Sequence, residues 1–170
     1  MYQVGDLVVY GVHGVCRISA FQERMVDHVK RQYMVLEPTN REGSQYLIPT
    51  HNPVAMNKIS CLLNKQELEA LVTSRKIRTE NWIADENKRK QFYRDMSGSG
   101  SRESMLQTLY TLYCHRERQH AMGKKLHICD ENFLHDAEKV LSGEIEAVLG
   151  VSAPEALNYL RKMLVAQVEA

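Results

Sequence analysis

Trp82, the only tryptophan of the chain, opens a segment whose residue types could act on nucleic acid. We expect it in the first turn of a helix, where the polar and basic run of residues 85–90 offers no continuous apolar stripe to carry the indole into a core. Arg89 falls on the same face of that predicted helix. An aromatic ring beside a phosphate-binding cation is what minor-groove insertion needs, because the ring unstacks a base step while the cation anchors the backbone. The alternative is the commoner one for a lone tryptophan, a place in the core.

Cysteine and histidine side chains farther along the chain are of the types that bind zinc. They are Cys114, His115, His120, His127 and Cys129. Their spacings match no familiar zinc finger, and in a metal site every ligand has to converge on one tetrahedral ion. We therefore expect no metal and no cofactor, with zinc binding as the less favoured alternative.

Catalytic motifs are also missing from the sequence. His13 and Asp6 flank a predicted strand turn, but no Gly-X-Ser-X-Gly nucleophile motif accompanies them. No Gly-X4-Gly-Lys-[Ser/Thr] phosphate loop is present either. We expect no catalytic residues and no enzymatic activity, with His13 satisfying hydrogen bonds of the turn.

Charge is nearly balanced over the 170 residues, with a formal net charge of +1, but it is unevenly distributed. Lys and Arg outnumber Asp and Glu by 10 to 6 in residues 77–129, and are outnumbered 3 to 8 in residues 130–170. The middle segment is therefore the natural place for an anionic partner, although many solvated helices carry as much charge.

The four cysteines form no Cys-X-X-Cys pair, and no signal peptide precedes the first strand. No apolar stretch approaches the roughly 18 to 20 residues needed to span a bilayer. We expect a soluble cytoplasmic protein with reduced thiols and no membrane partner.

Short β-branched and aromatic runs separated by Gly, Asp or Asn predict β structure up to about residue 60. The predicted strands are residues 6–10, 14–21, 32–37 and 45–49, with a further strand near 54–60. Four or five strands in so short a segment favour a small, strongly curved barrel of SH3 or Tudor type.

Beyond residue 61 the pattern becomes helical. Asn64 and Glu67 have the spacing of a capping box, and a second helix is predicted from after Thr79 to about Met96. The stretch 97–101 predicts a flexible loop, after which helices capped by Ser101, Asp130 and Ser152 follow. The predicted fold class is α+β, a barrel domain of residues 1–60 followed by a bundle of about five helices in residues 61–170.

Several of these features together resemble the CarD/CdnL family of bacterial transcription regulators. They are the Val4-Gly5-Asp6 opening with its Gly11-Val12-His13-Gly14 turn, the Tyr33–Leu36 strand, the strand ending at Pro49, the Asn81-Trp82 pair and the helical tail. The opening is shared with the polymerase-binding module of transcription-repair coupling factors. Those factors are ATP-driven translocases, and this chain has neither a phosphate loop nor room for a motor.

The resemblance implies that the β module pairs with an edge strand of the RNA polymerase β subunit, a case of β-augmentation. Arg24 matches a family arginine at that contact. Leu47 stands where some relatives carry a second arginine, so part of the charge complementarity differs here. The alternative for Arg24 is a solvated side chain in a hairpin.

The resemblance also implies that Trp82 falls where the family carries a tryptophan that wedges into promoter DNA. Some relatives place two arginines where this chain has Ala84 and Asp85, so the basic contribution must come from other residues. The candidates are Lys88, Arg89, Lys90, Arg94, Arg116, Arg118, Lys124 and Lys125.

Taken together, we expect a monomer that binds the polymerase β subunit through its β module and stabilises the open promoter through its helical domain. Preference for DNA sequence should be weak, because the minor groove distinguishes little beyond A·T from G·C. The alternative is an adaptor on polymerase whose helical domain binds a protein and never touches DNA.

Overall fold

The computed structural model describes residues 1–99 and 101–165, without the side chain of residue 99. The chain divides into two compact units, Met1–Leu62 and Leu63–Ala170, called here the β unit and the helical unit. The α+β fold class is confirmed, with a β module first and a helical region after it.

The β unit is built around one antiparallel sheet. Its elements are β1 (Leu7–Tyr10), a 3₁₀ turn (Gly11–His13), β2 (Val15–Val26), β3 (Val29–Pro38), β4 (Tyr46–Pro49), helix α1 (Pro53–Met56) and β5 (Ile59–Cys61). The strand order is β4-β3-β2-β1-β5, so β4 and β5 are the edges of the sheet. The four main predicted strands are confirmed.

The prediction of one strand over residues 54–60 is wrong, because a short helix occupies its first half. The side chain of Asn52 accepts hydrogen bonds from the backbone N–H groups of Val54 and Ala55, and Pro53 takes the first helical position. An Asn cap followed by proline is a strong helix start. Only Ile59–Cys61 remains as strand.

The β2–β3 hairpin is longer than the rest of the sheet. Its turn residues Asp27 and His28 have φ angles of 53° and 63°, the left-handed conformation of a two-residue turn that matches strand twist. Beyond the reach of β1 and β4, the two strands pair only with each other. This two-stranded ribbon, residues 21–32, exposes nearly all of its side chains.

The helical unit contains five helices within its described residues. They are α2 (Lys65–Val72), α3 (Glu86–Ser99), α4 (Arg102–Ala121), α5 (Ile128–Leu149) and α6 (Ala153–Val165). The Asn64–Glu67 capping box is present in full, and Ser101 caps α4 through the N–H of Ser104. Ser152 and Glu155 bond reciprocally at the start of α6.

Two predicted helix starts are wrong. Helix α3 begins at Glu86 rather than after Thr79, because the Asp85 carboxylate accepts the backbone N–H of Lys88 at 2.8 Å and caps the helix there. At α5 the cap is His127 rather than Asp130, whose side chain is turned to the interior.

The predicted loop over residues 97–101 is shorter than expected, because α3 continues to Ser99. Residue 100 lies outside the described residues, and Ser101 is already the cap of α4.

Large apolar side chains form the core of the helical unit, among them Leu109, Leu112, Leu134, Ile145 and Leu160, each at most 1% exposed. No helix within residues 1–99 and 101–165 has both the length and the apolar character to cross a membrane.

Candidate functional site

The segment that carries Trp82 is irregular in backbone but tied to helix α4 by side chains. Asn81 donates its backbone N–H to the hydroxyl of Thr111 at 3.0 Å and its side-chain amide to the hydroxyl of Thr108 at 3.3 Å. The Thr111 hydroxyl returns a bond to Asn81 Oδ1 at 2.8 Å. The residue directly before Trp82 is therefore fixed on both its backbone and its side chain.

Further bonds fix the segment on either side of Trp82. Gln107 donates to the carbonyl of Thr79 at 2.9 Å, and both terminal nitrogens of Arg118 bond the Glu80 carboxylate at 3.0 and 2.6 Å. On the other side, Arg89 Nη1 donates to the carbonyl of Ile83 at 3.0 Å. The segment thus holds Trp82 in one place without helical hydrogen bonds.

The indole of Trp82 is half-buried between its neighbours. Its ring stacks on the imidazole of His115, with centroids 3.7 Å apart and planes 20° from parallel. The guanidinium carbon of Arg89 lies 4.5 Å from the indole centroid, a cation–π distance. Burial, with the nearby Arg118 charge, lowers the pKa of His115, so the stacked imidazole is neutral at pH 7.

Arg89 is itself held in place by the buried carboxylate of Asp130. Its Nε lies 2.6 Å from Asp130 Oδ1 and its Nη2 lies 3.1 Å from Oδ2, while the hydroxyl of Tyr93 donates to Oδ1 at 2.7 Å. The side chains of Arg89 and Asp130 are 7% and 1% exposed. Burial works against the charge of Arg89, but Asp130 outweighs it and raises the Arg89 pKa.

The expectation that Arg89 shares an exposed helix face with Trp82 is therefore wrong. Trp82 precedes α3, and Arg89 reaches its ring from a buried position inside the unit. Arg89 orients the indole instead of presenting a free cation. His115 and Asp130 complete this arrangement, and no sequence signal marks either as a neighbour of Trp82, because they lie far along the chain.

The other basic residues predicted to face DNA fall into two groups. Lys90 pairs with Glu86, Arg118 pairs with Glu80, and the guanidinium of Arg116 lies 5.0 Å from the ring centroid of Tyr113. A second group is exposed and makes no ion pair within the described parts of the chain; it comprises Lys88, Arg94, Lys124 and Lys125. This second group offers cations to a phosphate without first breaking an ion pair, although Arg94 donates to the side chain of Gln91 at 2.7 Å.

Among the described residues, His127, Cys129 and Asp130 bring donor atoms within 4.8 Å of one another. Two of the three already have roles in the fold, because His127 Nδ1 accepts the N–H of Cys129 at 3.2 Å and Asp130 binds Arg89 and Tyr93. Cys114, His115 and His120 do not join this group. The five residues of the less favoured zinc alternative are thus not grouped together within the described part of the chain.

In the β unit, Arg24 and Leu47 lie on one face of the sheet. Leu47 pairs with Val35 on β3, and Val35 pairs with Ala20 on β2. Arg24 lies four residues after Ala20 on the same strand, and residues an even number of positions apart share a face. Leu47 is 39% exposed on the edge strand β4, and Arg24 is exposed on the ribbon. An open edge with exposed flanking side chains is what β-augmentation requires.

A search of curated proteins finds no match to the chain. A family model does match, but it covers only the β unit and does not extend into the helices. Residues 2–60 match the family described as the CarD-like/TRCF RID domain, which indicates an RNA polymerase-interacting, transcription-associated protein.

Proposed function

We propose that the protein docks on the β subunit of RNA polymerase through its β unit and stabilises the open promoter through its helical unit, with Trp82 entering the minor groove. The observation that carries this proposal is the state of Trp82, which is half-buried yet braced from several directions. A side chain inserted into DNA has to resist the restacking of the bases, and a ring held in place loses little entropy on binding.

Docking through β4 is supported by the form of the sheet. This edge strand is short, and its partner β3 supplies hydrogen bonds on one side only. A polymerase strand would gain main-chain hydrogen bonds along β4, while Arg24 and Leu47 would contribute selectivity.

In the helical unit, the braced ring supplies the wedge, and exposed cations supply phosphate contacts. Because Arg89 is committed to Asp130, we assign phosphate binding to the exposed group Lys88, Arg94, Lys124 and Lys125. Sequence preference follows from the minor groove and is weak. The acid next to Trp82 is less unfavourable than its charge suggests, because Asp85 caps α3 and faces the positive end of that helix.

We further propose that the protein acts stoichiometrically with polymerase and catalyses no reaction. Its effect on transcription should saturate at one copy per polymerase. The proposal would be contradicted if the protein turned over nucleotide or cleaved DNA, and if a point substitution in this chain abolished that activity.

A second candidate function, an adaptor whose helical unit binds a protein, is favoured by one observation. Three of the predicted DNA-binding cations are already paired with carboxylates: Arg89 with Asp130, Lys90 with Glu86, and Arg118 with Glu80. Because these carboxylates neutralise part of the positive charge, the surface attracts phosphate less strongly than the number of its lysines and arginines implies.

Salt dependence of promoter binding separates the two functions. We would measure the affinity of the full chain with polymerase for promoter DNA against salt, for the wild type and for Lys124→Ala/Lys125→Ala. Each lost phosphate contact should reduce the slope of log affinity against log salt by roughly 0.9. Lys162→Ala, an exposed lysine of α6 outside the proposed group, is the matched control.

If both lysines contact phosphate, the double variant should lose nearly 2 from the slope, whereas the control should keep it. An equal slope for wild type and double variant removes these lysines from the interface. If the protein's contribution to promoter affinity does not change with salt, the adaptor function is favoured.

A further inference from the structure

Two arginines stand directly opposite each other in the β2–β3 ribbon. The ladder pairs Arg24 with Arg31, so both side chains leave the same face of the sheet. Like charges in directly opposed positions destabilise a sheet. An anion bound by both guanidinium groups would remove this repulsion.

No carboxylate lies within ion-pair distance of either guanidinium in the described parts of the chain. Arg24 donates only to the amide oxygen of Gln22, at 3.4 Å. Three arginines of the helical unit behave differently, since Arg89, Arg118 and Arg161 each bond both oxygens of one carboxylate. The ribbon pair thus lacks the carboxylate partner that these three arginines have.

Arg31 is held in position by the segment after β4. Its Nη1 donates to His51 Nε2 at 2.9 Å, and the ring of His51 meets the edge of Tyr33 at 6.3 Å between centroids. Arg31 is half-buried as a result. A guanidinium fixed in this way keeps its remaining N–H donors oriented for a ligand.

The pair lies in line with the proposed polymerase contact. Strand β4 ends at Pro49, and beyond it the Thr50–His51 segment lies against the end of β3, through the Thr50 N–H to the Gln32 carbonyl and through His51 to Arg31. On the same face, Tyr33 lies opposite Pro49, and Val35 lies opposite Leu47. Arg31 therefore lies on the face that carries Leu47, about 13 Å from Val35 at the rise of an extended strand, close enough for a side chain of a docking strand that continues past Pro49.

We propose that Arg31 is the second cation of the polymerase-binding face, and that Arg24 and Arg31 together bind one carboxylate of the docking polymerase strand. This inference rests on the proposed function. Planar guanidinium groups suit a carboxylate, which can accept from both.

Affinity of the full chain for RNA polymerase tests the inference, measured by surface-based binding kinetics for Arg24→Gln, Arg31→Gln and the double variant. Each single change should weaken binding on the order of tenfold, the effect of losing a charge-assisted hydrogen bond. Because one carboxylate is shared, the double variant should lose less than the product of the two single effects.

Lys30→Gln is the matched control. Lys30 neighbours Arg31 and carries the same charge, but it lies on the opposite face, 3.8 Å from Glu23 in an exposed pair. Its removal should leave the affinity unchanged. The melting temperature of Arg31→Gln should equal or exceed that of the wild type, since a repulsion is removed.

Wild-type affinity for Arg31→Gln, beside a weakened Arg24→Gln, would overturn the inference and leave polymerase docking intact. A lowered melting temperature for Arg31→Gln would assign Arg31 to folding, and a fully multiplicative double variant would rule out a shared carboxylate. Absence of polymerase binding by the wild type would instead remove the proposed function itself.

Discussion

Replacing Trp82 by alanine tests the proposed wedge more directly than any other change. The substitution removes the ring that stacks on His115 and lies beneath Arg89, while the bonds of Asn81 to Thr108 and Thr111 stay in place. The segment that presents the side chain should therefore keep its path, and only the ring is lost.

The cost to folding follows from the contacts of the ring. An aromatic stack contributes about 0.5–1.5 kcal/mol, and a cation over a ring contributes about 0.5–2 kcal/mol depending on its desolvation. The free energy of unfolding should thus fall by about 1–3.5 kcal/mol, mostly below the roughly 3–5 kcal/mol lost when a fully buried tryptophan is truncated. The variant should remain folded at 25 °C.

The cost to function appears in the lifetime of the open promoter. Loss of the wedge should cost on the order of a few kcal/mol, comparable to the unstacking it supports, and should shorten that lifetime at full occupancy of polymerase. Trp82→Phe should recover part of the lifetime, because a smaller ring still stacks.

Thermal melting, polymerase affinity and open-complex lifetime should be measured on the same preparations of Trp82→Ala. Polymerase affinity should match the wild type. An unchanged lifetime per folded, polymerase-bound molecule would refute the reasoning and leave Trp82 a purely structural residue.

Three further predictions follow from the ion pairs and the sheet edge. Asp130→Ala should lower the free energy of unfolding by about 3–5 kcal/mol in a denaturant titration, because a buried guanidinium loses its partner, whereas Glu80→Ala, at an exposed pair, should change it by less than about 1 kcal/mol. Burial opposes ionisation of Glu138, but hydrogen bonds from Arg161 and Tyr113 prevail and hold its pKa below 4.5. The ionised carboxylate therefore stabilises the fold fully above pH 4.5, and this stabilisation is lost as the pH falls through the lower pKa of the folded state. Glu138→Gln should flatten the acid side of a plot of unfolding free energy against pH. Leu47→Arg, at an exposed edge position, should leave the melting temperature unchanged and tighten polymerase binding in a competition assay if the docking strand is acidic.

Local sequence signals predicted the elements whose boundaries depend on nearby residues. Asn64 and Glu67 lie three positions apart and cap each other, so the start of α2 could be read directly. The start of α3 could not, because Asp85 competes with Thr79 as a cap and both are ordinary capping residues. The resulting shift moved Trp82 from a helix to an irregular segment.

The surroundings of Trp82 depend on contacts between distant parts of the chain. Arg89 and Asp130 are 41 positions apart, and nothing in either local pattern distinguishes a buried pair from two surface charges. The basic run around Arg89 therefore predicts an exposed side chain. The cross-strand pair of Arg24 and Arg31 also depends on the register of the hairpin, which its turn residues determine.

The bracing of Trp82 also makes the protein its own optical probe. With a single tryptophan in the chain, intrinsic emission above the tyrosine band comes from the one ring proposed to enter DNA. In the free protein that ring is stacked on an imidazole and lies 4.5 Å from a guanidinium, an environment to which contact with DNA bases would be added. Because DNA contains no tryptophan, a change in emission on mixing the protein with promoter DNA therefore reports the surroundings of this indole in an unlabelled wild-type protein, in real time.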